Sequence, residues 1–231
     1  MRTLMAWPTG LAGLFLPRRC AGCDRPLMIG EDSLCLHCLT DLPRTHWHAD
    51  PGNPIEQLFW GKVEVRAASS FLRFQRHGPV QKILHRLKYQ GDRAVGVQLG
   101  RLMAEDLFAC PRFGPVDSIV PVPLHTSKVR QRGYNQSQVI VEGMCAVHPL
   151  ERPADGLLRV VRTSTQTRKG RWDRWANVHE AFHVPDPSTF RGRHVLLVDD
   201  VVTTGATLEG CVRALQAIGD VQVSIFTAAS A

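Results

Sequence analysis

HVLLVDDVVTTGAT, residues 194–207, is the segment of the sequence that is most informative about the fold. It begins with β-branched and leucine residues, as in a strand covered on both faces, so we predict a strand at 194–199. Two acids, two valines and the turn residues Thr203, Thr204 and Gly205 follow, and a helical pattern then begins. Backbone N–H groups at such a helix start bind anions, and threonine hydroxyls add donors. The stretch therefore predicts a strand, an anion-binding turn and a helix.

The rest of the C-terminal three-quarters of the chain repeats this alternation of strands and helices. The strand candidates are 63–71, 117–122, 157–161, 194–199 and 221–227. Between them, apolar residues recur at helical spacing in 80–87, 95–103, 140–147 and 208–218. This order predicts an α/β fold with a mainly parallel sheet flanked by helices. With 44% hydrophobic and 21% charged residues, the composition excludes a disordered or fibrous chain.

Asp199 and Asp200 stand directly before the anion-binding turn. Two carboxylates would repel a phosphate placed on them, but they suit the hydroxyls of a sugar or metal-bound water. We therefore predict a sugar-phosphate site, with the phosphate on residues 203–207 and the ribose hydroxyls at the two acids. The alternative is a well-capped helix with Asp200 in solvent.

Four of the seven cysteines form two Cys-x-x-Cys pairs, Cys20 with Cys23 and Cys35 with Cys38. Two such turns supply four thiolates to one tetrahedral ion, so we predict a closed, structural zinc site. A redox dithiol and two disulfides are the alternatives, but neither pair follows a strand and opens a helix as a thioredoxin-like motif does.

The chain divides into a module at 1–44, with a docking segment and the cysteines, a linker at 45–60 and an α/β domain at 61–231. The apolar opening is interrupted by Pro8, Gly10 and Gly13 and is shorter than the about 20 residues of a membrane span. It also lacks a clear signal-peptide cleavage site. We expect a cytoplasmic protein without an integral membrane segment.

Residues 195–207 resemble the phosphoribosyl-pyrophosphate (PRPP) motif of the phosphoribosyltransferases, in which four apolar residues, two acids and two apolar residues precede TTGxT. The resemblance implies that Asp199 and Asp200, the predicted catalytic residues, hold the ribose hydroxyls while the loop holds the 5′-phosphate. The residues implied in PRPP binding are Asp199, Asp200, Val201, Thr203, Thr204, Gly205, Ala206 and Thr207.

More narrowly, the chain is similar to the ComF (competence protein F, or GntX) family. The similar segments are PRRCAGCDRPL (17–27), LHRLKYQGDR (84–93), VPVPLHTSKVRQRGYNQSQ (120–138) and STQTRKGRWDRWANVHEAF (164–182). Gly170 and Asp173 depart from the family pattern, which has Leu and Glu there. The resemblance implies a type I phosphoribosyltransferase-like fold with a zinc finger, Mg²⁺ bound with PRPP, and a link to natural competence. Its implied partners are single-stranded DNA and proteins of the DNA-uptake machinery.

Basic residues supply candidates for binding the pyrophosphate or closing over it. They are Lys88, Lys128, Arg130, Arg132, Arg168 and Arg174. The 28 Lys and Arg against 21 Asp and Glu give a net charge of +7, which suits an anionic partner. For residues 128–132, the alternative to pyrophosphate binding is a solvated basic loop without a ligand. For 162–174 we weigh a lid over PRPP against a contact with single-stranded nucleic acid and a plain surface.

His179 to His183 spell H-E-x-x-H, the zinc-protease pattern. Pro185 and Pro187 follow at once and leave little room for the helix that this pattern requires. We therefore do not assign a protease site.

Three functions share the predicted PRPP site. They are phosphoribosyl transfer to an unidentified acceptor, a non-catalytic adaptor that binds single-stranded DNA, and a regulator that senses PRPP. Release of pyrophosphate and salt-dependent binding of DNA would distinguish them.

Overall fold

The computed structural model describes residues 18–153, 156–159 and 181–231. The predicted docking segment at 1–17, the lid candidates Arg168 and Arg174, and His179 lie outside the described residues.

The described strands are Ala67–Arg73 (β1), Ser118–Pro121 (β2), Leu158–Arg159 (β3), Phe182–His183 (β4), His194–Val202 (β5) and Gln222–Ser230 (β6). A four-stranded sheet has the order β1–β6–β5–β2, and each neighbouring pair is parallel. β3 and β4 form a separate antiparallel pair. The predicted α/β fold with a mainly parallel sheet is therefore confirmed.

The described α-helices are Leu36–Thr40 (α1), Pro54–Gln57 (α2), Pro79–Tyr89 (α3), Arg93–Phe108 (α4), Thr126–Arg132 (α5), Gln136–Val147 (α6) and Ala206–Gln216 (α7). Short 3₁₀ turns occupy Trp47–Ala49, Pro111–Phe113 and Pro187–Thr189. In the part of the chain that the structure covers, no helix has the length and apolar character needed to cross a bilayer.

The sheet separates two apolar cores. Alternate residues of β5 enter them, with Leu196 and Val198 on one side and Val195 and Leu197 on the other. The first core is completed by α3, α4, α6 and the cysteine segment, and the second by α7 and the short elements around α2 and β4. This alternation is what a central parallel strand requires when helices cover both faces.

Helices α4 and α6 cross at very close range. A Cβ atom at Gly100 would overlap the carbonyl oxygen of Ile140, and one at Gly143 would overlap that of Val97. Glycine is therefore required on both helices at their crossing.

The first predicted strand begins four residues later than expected, at Ala67. Val63 directly follows a turn, which its N–H closes by donating to the carbonyl of Phe59 at 3.2 Å. The predicted strand at 157–161 is described only at 158–159, as β3, and residues 160 and 161 lie outside the described part.

The connecting segment 45–60 packs on β1. The Asn53 side chain caps α2 and donates to the carbonyl of Ala68 at 2.9 Å. Ile55 and Phe59 are buried in the second core. This segment therefore contributes apolar side chains to the fold as well as joining the cysteine segment to the sheet.

Candidate functional site

The strand β5 ends at a turn that precedes helix α7. It continues to Val202, three residues beyond the predicted end, so both acids lie within the strand. Gly205 has a φ of 77°, the left-handed region that favours glycine, and α7 begins at Ala206. A cavity of about 50 Å³ is lined by Asp199 and residues 201–208. The structure thus places the predicted anion-binding turn and one acid around one space.

Asp199 is held by two donors. Ser137, in the first turn of α6, donates its hydroxyl to Asp199 Oδ1 at 2.9 Å, and the N–H of Asp200 donates to the same oxygen at 2.8 Å. Although part of the residue is still exposed, removal of its carboxyl from solvent raises the pKa of Asp199 to about 7, and the charge of Asp200 adds to the rise. This carboxyl can therefore exchange a proton near neutral pH.

Asp200 forms an ion pair with Lys88, at the end of α3. Lys88 Nζ lies 3.1 Å from Asp200 Oδ2, and the two side chains are only 20% and 14% exposed. A cation at this position also complements the helix C-terminus. The two adjacent acids thus have different partners, a hydroxyl for Asp199 and an ammonium group for Asp200.

The turn between α5 and α6 connects three elements at the site. The Tyr134 hydroxyl donates to the carbonyl of Leu87, in the last turn of α3. Asn135 caps α6 by accepting from Ser137 N–H at 3.1 Å and donates to the carbonyl of Val122 at 2.9 Å, just after β2. The turn therefore holds the end of α3 in place, and it positions Ser137 beside Asp199.

The basic candidates of this region have different surroundings. Arg132 lies with its guanidinium carbon 5.3 Å from the ring centre of Tyr89, and donates to Gln136 Oε1 at 2.7 Å. Lys128 and Arg130 are exposed on α5. Residues 128–132, for which a solvated loop is the alternative prediction, lie in this helix, Thr126–Arg132.

Cys20, Cys23, Cys35 and Cys38 lie together. Their sulfur atoms are all within 4.8 Å of one another. Four thiolates around a tetrahedral zinc ion would be about 3.8 Å apart, since Zn–S bonds are about 2.3 Å long. Burial opposes ionisation of these thiols and raises the pKa of Cys35 and of Cys38. At Cys20 the backbone N–H groups of Cys35, Cys23 and Gly22 outweigh burial and lower the pKa of the thiol to about 6. The cluster can bind a metal ion such as zinc.

The cysteine segment is attached to α3 and α4 by polar contacts. Gln98 Oε1 accepts from the N–H groups of Ser33 and Leu34, at 2.9 Å each. Asp24 pairs with Lys82 at 3.0 Å and with Arg86 at 2.6 Å. Together with the shared apolar core, these contacts make the segment part of the same packed body as the sheet.

Ser137 and Tyr134 were missed as site residues by sequence reasoning. Both belong to the segment quoted as VPVPLHTSKVRQRGYNQSQ, but neither is charged, and 62 positions separate Ser137 from Asp199. The available signal was their position beside a basic segment that follows a predicted strand.

Known proteins provide the comparison for this geometry. Residues 96–230 match the family described as phosphoribosyl transferase domain. The DNA utilization protein YhgH of Escherichia coli (strain K12) is 27% identical over 229 residues, which covers 92% of this chain and 97% of that protein. Competence protein F of Haemophilus influenzae is 27% identical over 217 residues, which covers 92% of this chain and 90% of that protein.

Among solved structures, that of the allosteric regulatory enzyme of purine biosynthesis aligns at a TM-score of 0.39 and 16% identity. The alignment covers 57% of this chain and 25% of that one, so the assignment rests on the family match and the two relatives. The chain belongs to the phosphoribosyl transferase domain family, and within it is a phosphoribosyltransferase-like protein of the ComF type.

Proposed function

We propose that this protein binds PRPP together with Mg²⁺ at the end of β5. We base the proposal on the position of Asp199 and Asp200 near the end of β5, where the strand leads into the Thr203–Gly205 turn. The backbone N–H groups of residues 203–207 receive the 5′-phosphate at the positive end of α7. The two carboxylates accept hydrogen bonds from the ribose hydroxyls.

When bound with PRPP, Mg²⁺ would supply positive charge at the diphosphate. Carboxylate oxygens are ligands that magnesium accepts, so Asp199 and Asp200 are the residues that would contact it. Lys88 shares Asp200 in the free protein and lies close enough to add its own charge near the bound ligand.

In the proposed phosphoribosyl transfer, the bond between C1 of the ribose and the diphosphate oxygen breaks, and pyrophosphate leaves with the electron pair. The lone pair of an acceptor nitrogen forms the new bond to C1, whose positive charge the fixed carboxylates stabilise, and the nitrogen gives up its proton to solvent or to the departing pyrophosphate. Asp199 and Asp200 thus act by holding the sugar in position.

The names of the relatives support a role for this protein in the handling of DNA during its uptake or use. One relative is named a DNA utilization protein and the other a competence protein. The net charge of +7 favours an anionic partner. We propose single-stranded DNA and proteins of the uptake machinery as partners, and the cytoplasm as the location.

We further propose that the four cysteines bind zinc in a structural role. Four thiolates leave no open coordination position, so the ion would stabilise the fold and take no part in the transfer.

The test of PRPP binding is a calorimetric titration of the zinc-loaded full chain with Mg²⁺–PRPP. The parent should bind, and the double variant Asp199→Asn/Asp200→Asn should lose binding while keeping its circular dichroism spectrum. As control, Asp32→Asn/Asp41→Asn removes two negative charges from exposed positions of the cysteine segment and should bind as the parent does. Absence of binding in the parent, or equal binding in the first variant, would refute the proposal.

The DNA role is tested separately, by fluorescence anisotropy with a labelled single-stranded oligonucleotide at several salt concentrations. Binding that weakens steeply with salt is expected. If the oligonucleotide does not bind even at low salt, direct contact with DNA is excluded and a PRPP-sensing role is favoured.

A further inference from the structure

We propose that the exposed ring of Tyr89, with Arg132 over it and His85 beside it, is a stacking surface for a nucleobase next to the PRPP site. The inference rests on the proposed function for its position, and it adds the class of molecule that is presented to the sugar.

The three side chains form one array at the end of α3. The guanidinium carbon of Arg132 lies 5.3 Å from the centre of the Tyr89 ring. The imidazole of His85, one helical turn before Tyr89, has its centre 5.0 Å away at an interplanar angle of 44°. Tyr89 nevertheless remains 61% exposed, so ring surface is available to a ligand.

Two segments of the chain, the end of α3 and the α5–α6 turn region, connect this array to the acids. On α3, Lys88 contacts Asp200 and the next residue is Tyr89. On the other side, Arg132 donates to Gln136, and the adjacent Ser137 contacts Asp199. Each segment thus sends one side chain to an acid and another to the array, so the array is joined to both acids through neighbouring residues.

The exposure of its ring distinguishes the Arg132–Tyr89 pair from the other pairs of a cation and an aromatic ring. Other cations in the described part of the chain lie over Phe71 and Phe182, which are buried, and over Trp47 and Tyr134, which are partly buried. Those rings already use much of their surface in packing. Of the cation-paired rings that the structure describes, Tyr89 alone falls among the exposed residues.

An exposed ring flanked by a guanidinium and an imidazole is suited to a flat aromatic ligand that carries or adjoins negative charge. Nucleobases stack on such rings, and the cation attracts the neighbouring phosphate. The base could be a free acceptor for the ribose or a base within single-stranded DNA. The shared chemistry is the aromatic base, and two experiments separate the sources.

The first experiment measures anisotropy of a labelled oligothymidylate and of an abasic oligomer of the same length. The second titrates adenine and uracil into protein saturated with Mg²⁺–PRPP, by calorimetry. We expect Tyr89→Ser to weaken binding of the base-containing ligand in at least one experiment by about tenfold. Binding of the abasic oligomer should be unchanged.

Tyr89→Phe keeps the ring and should retain binding. Arg132→Gln keeps the ring but removes the cation, so it should weaken binding by a smaller factor. Arg101→Gln removes a cation from the exposed face of α4 and is the matched control that should bind normally. A defect in the oligonucleotide alone identifies a DNA base, and a defect with the free bases identifies an acceptor.

The proposal is overturned if Tyr89→Ser binds all base-containing probes as tightly as the parent, or if the abasic oligomer binds as tightly as oligothymidylate. Loss of Mg²⁺–PRPP binding in both Tyr89→Ser and Arg132→Gln would also overturn it, because the array would then belong to the sugar-phosphate site. Failure of the parent to bind PRPP, with base-dependent binding intact, would instead refute the proposed function and leave the stacking surface in place.

Discussion

Asp199 has a carboxyl group that the fold removes from water and places beside a second acid. Both effects disfavour its charge and raise its pKa to about 7, well above the ordinary value near 3.9. The folded chain therefore holds this proton more tightly than the unfolded chain does. The resulting contribution to stability is full at low pH and is lost as the pH rises from about 4 through 7.

Asp199→Asn should remove this loss of stability at high pH, because asparagine resembles the protonated acid. Its side-chain oxygen can still accept from the Ser137 hydroxyl and from the N–H of Asp200. At pH 8 we expect its melting temperature to exceed that of the parent by about 3 °C or more, and at pH 5 we expect a much smaller difference. Thermal unfolding followed by circular dichroism at both pH values provides the measurement. Asp32→Asn, at an exposed position, is the control whose effect should not depend on pH. A gain for Asp199→Asn of equal size at pH 5 and 8 would contradict the prediction.

Ser137 stabilises the ionised form of Asp199 by donating to it. Ser137→Ala should therefore raise the pKa of Asp199 further and weaken binding of Mg²⁺–PRPP at pH 7, with recovery as the pH rises above 8. Calorimetry at pH 7 and 8.5 measures this, and Ser137→Thr, which keeps the hydroxyl, should restore the parent's affinity at pH 7. A defect of Ser137→Ala that is the same at both pH values would show that the residue acts only through packing.

The sequence predicts the two acids and the turn as a site because they are contiguous in the chain and their chemistry can be inferred locally. It names Lys88 only as a pyrophosphate candidate and does not predict the partners of those acids. Lys88 reaches Asp200, and Ser137 reaches Asp199, only because α3 and the start of α6 converge on the end of β5. Such contacts depend on tertiary geometry that no local pattern contains.

At the scale of elements, the crossing of α4 and α6 depends on Gly100 and Gly143. Helix propensity alone predicts that Gly100→Ala stabilises α4 by up to about 1 kcal/mol. The methyl group would overlap the carbonyl oxygen of Ile140, so we expect the opposite sign, a loss of about 1–3 kcal/mol. Urea unfolding measures the difference. Glu105→Ala, on the exposed face of the same helix, should change stability little. A stabilised Gly100→Ala variant would mean that the helices separate without penalty.

The elements that the sequence predicted best are those with an apolar face. Helices α3, α4, α6 and α7 lie where the spacing of their apolar residues placed them. Helix α5 was missed because it has no buried residue and therefore no apolar period to detect. The start of β1 was placed too early because Val63 and Val65 alternate as in a strand, although the N–H of Val63 closes a turn on the carbonyl of Phe59 and the strand begins only at Ala67.

At the scale of the whole molecule, the cysteine segment and the sheet share one core. Cys20, Cys35 and Cys38 belong to the same buried cluster as Leu87, in α3, and Phe226, in β6. The metal site is therefore expected to stabilise the entire chain, and the predicted boundary near residue 44 should not behave as a boundary between independently folding units.

Removal of the metal should consequently lower the stability of the whole protein. We expect one unfolding transition in calorimetry, with a melting temperature that falls by about 10 °C or more on chelation or in Cys20→Ser. Cys145→Ser alters a cysteine outside the metal cluster, so the melting temperature of this variant should still fall when the chelator is added. Two separate transitions, with the upper one indifferent to the chelator, would show that the cysteine segment folds on its own.

The order of the sheet has a consequence for the synthesis of the protein. β6 comes after the other described strands in sequence, but it lies between β1 and β5, and it is the one strand that pairs with β1 in the sheet as described for residues 18–153, 156–159 and 181–231. On the ribosome, β1 must therefore wait for residues 222–230 before its backbone groups can pair in the sheet. A nascent chain that lacks those residues exposes two unpaired strand edges, the kind of surface on which chains aggregate and to which chaperones bind. Premature termination between β5 and β6 should thus yield an insoluble chain and not a partly active one.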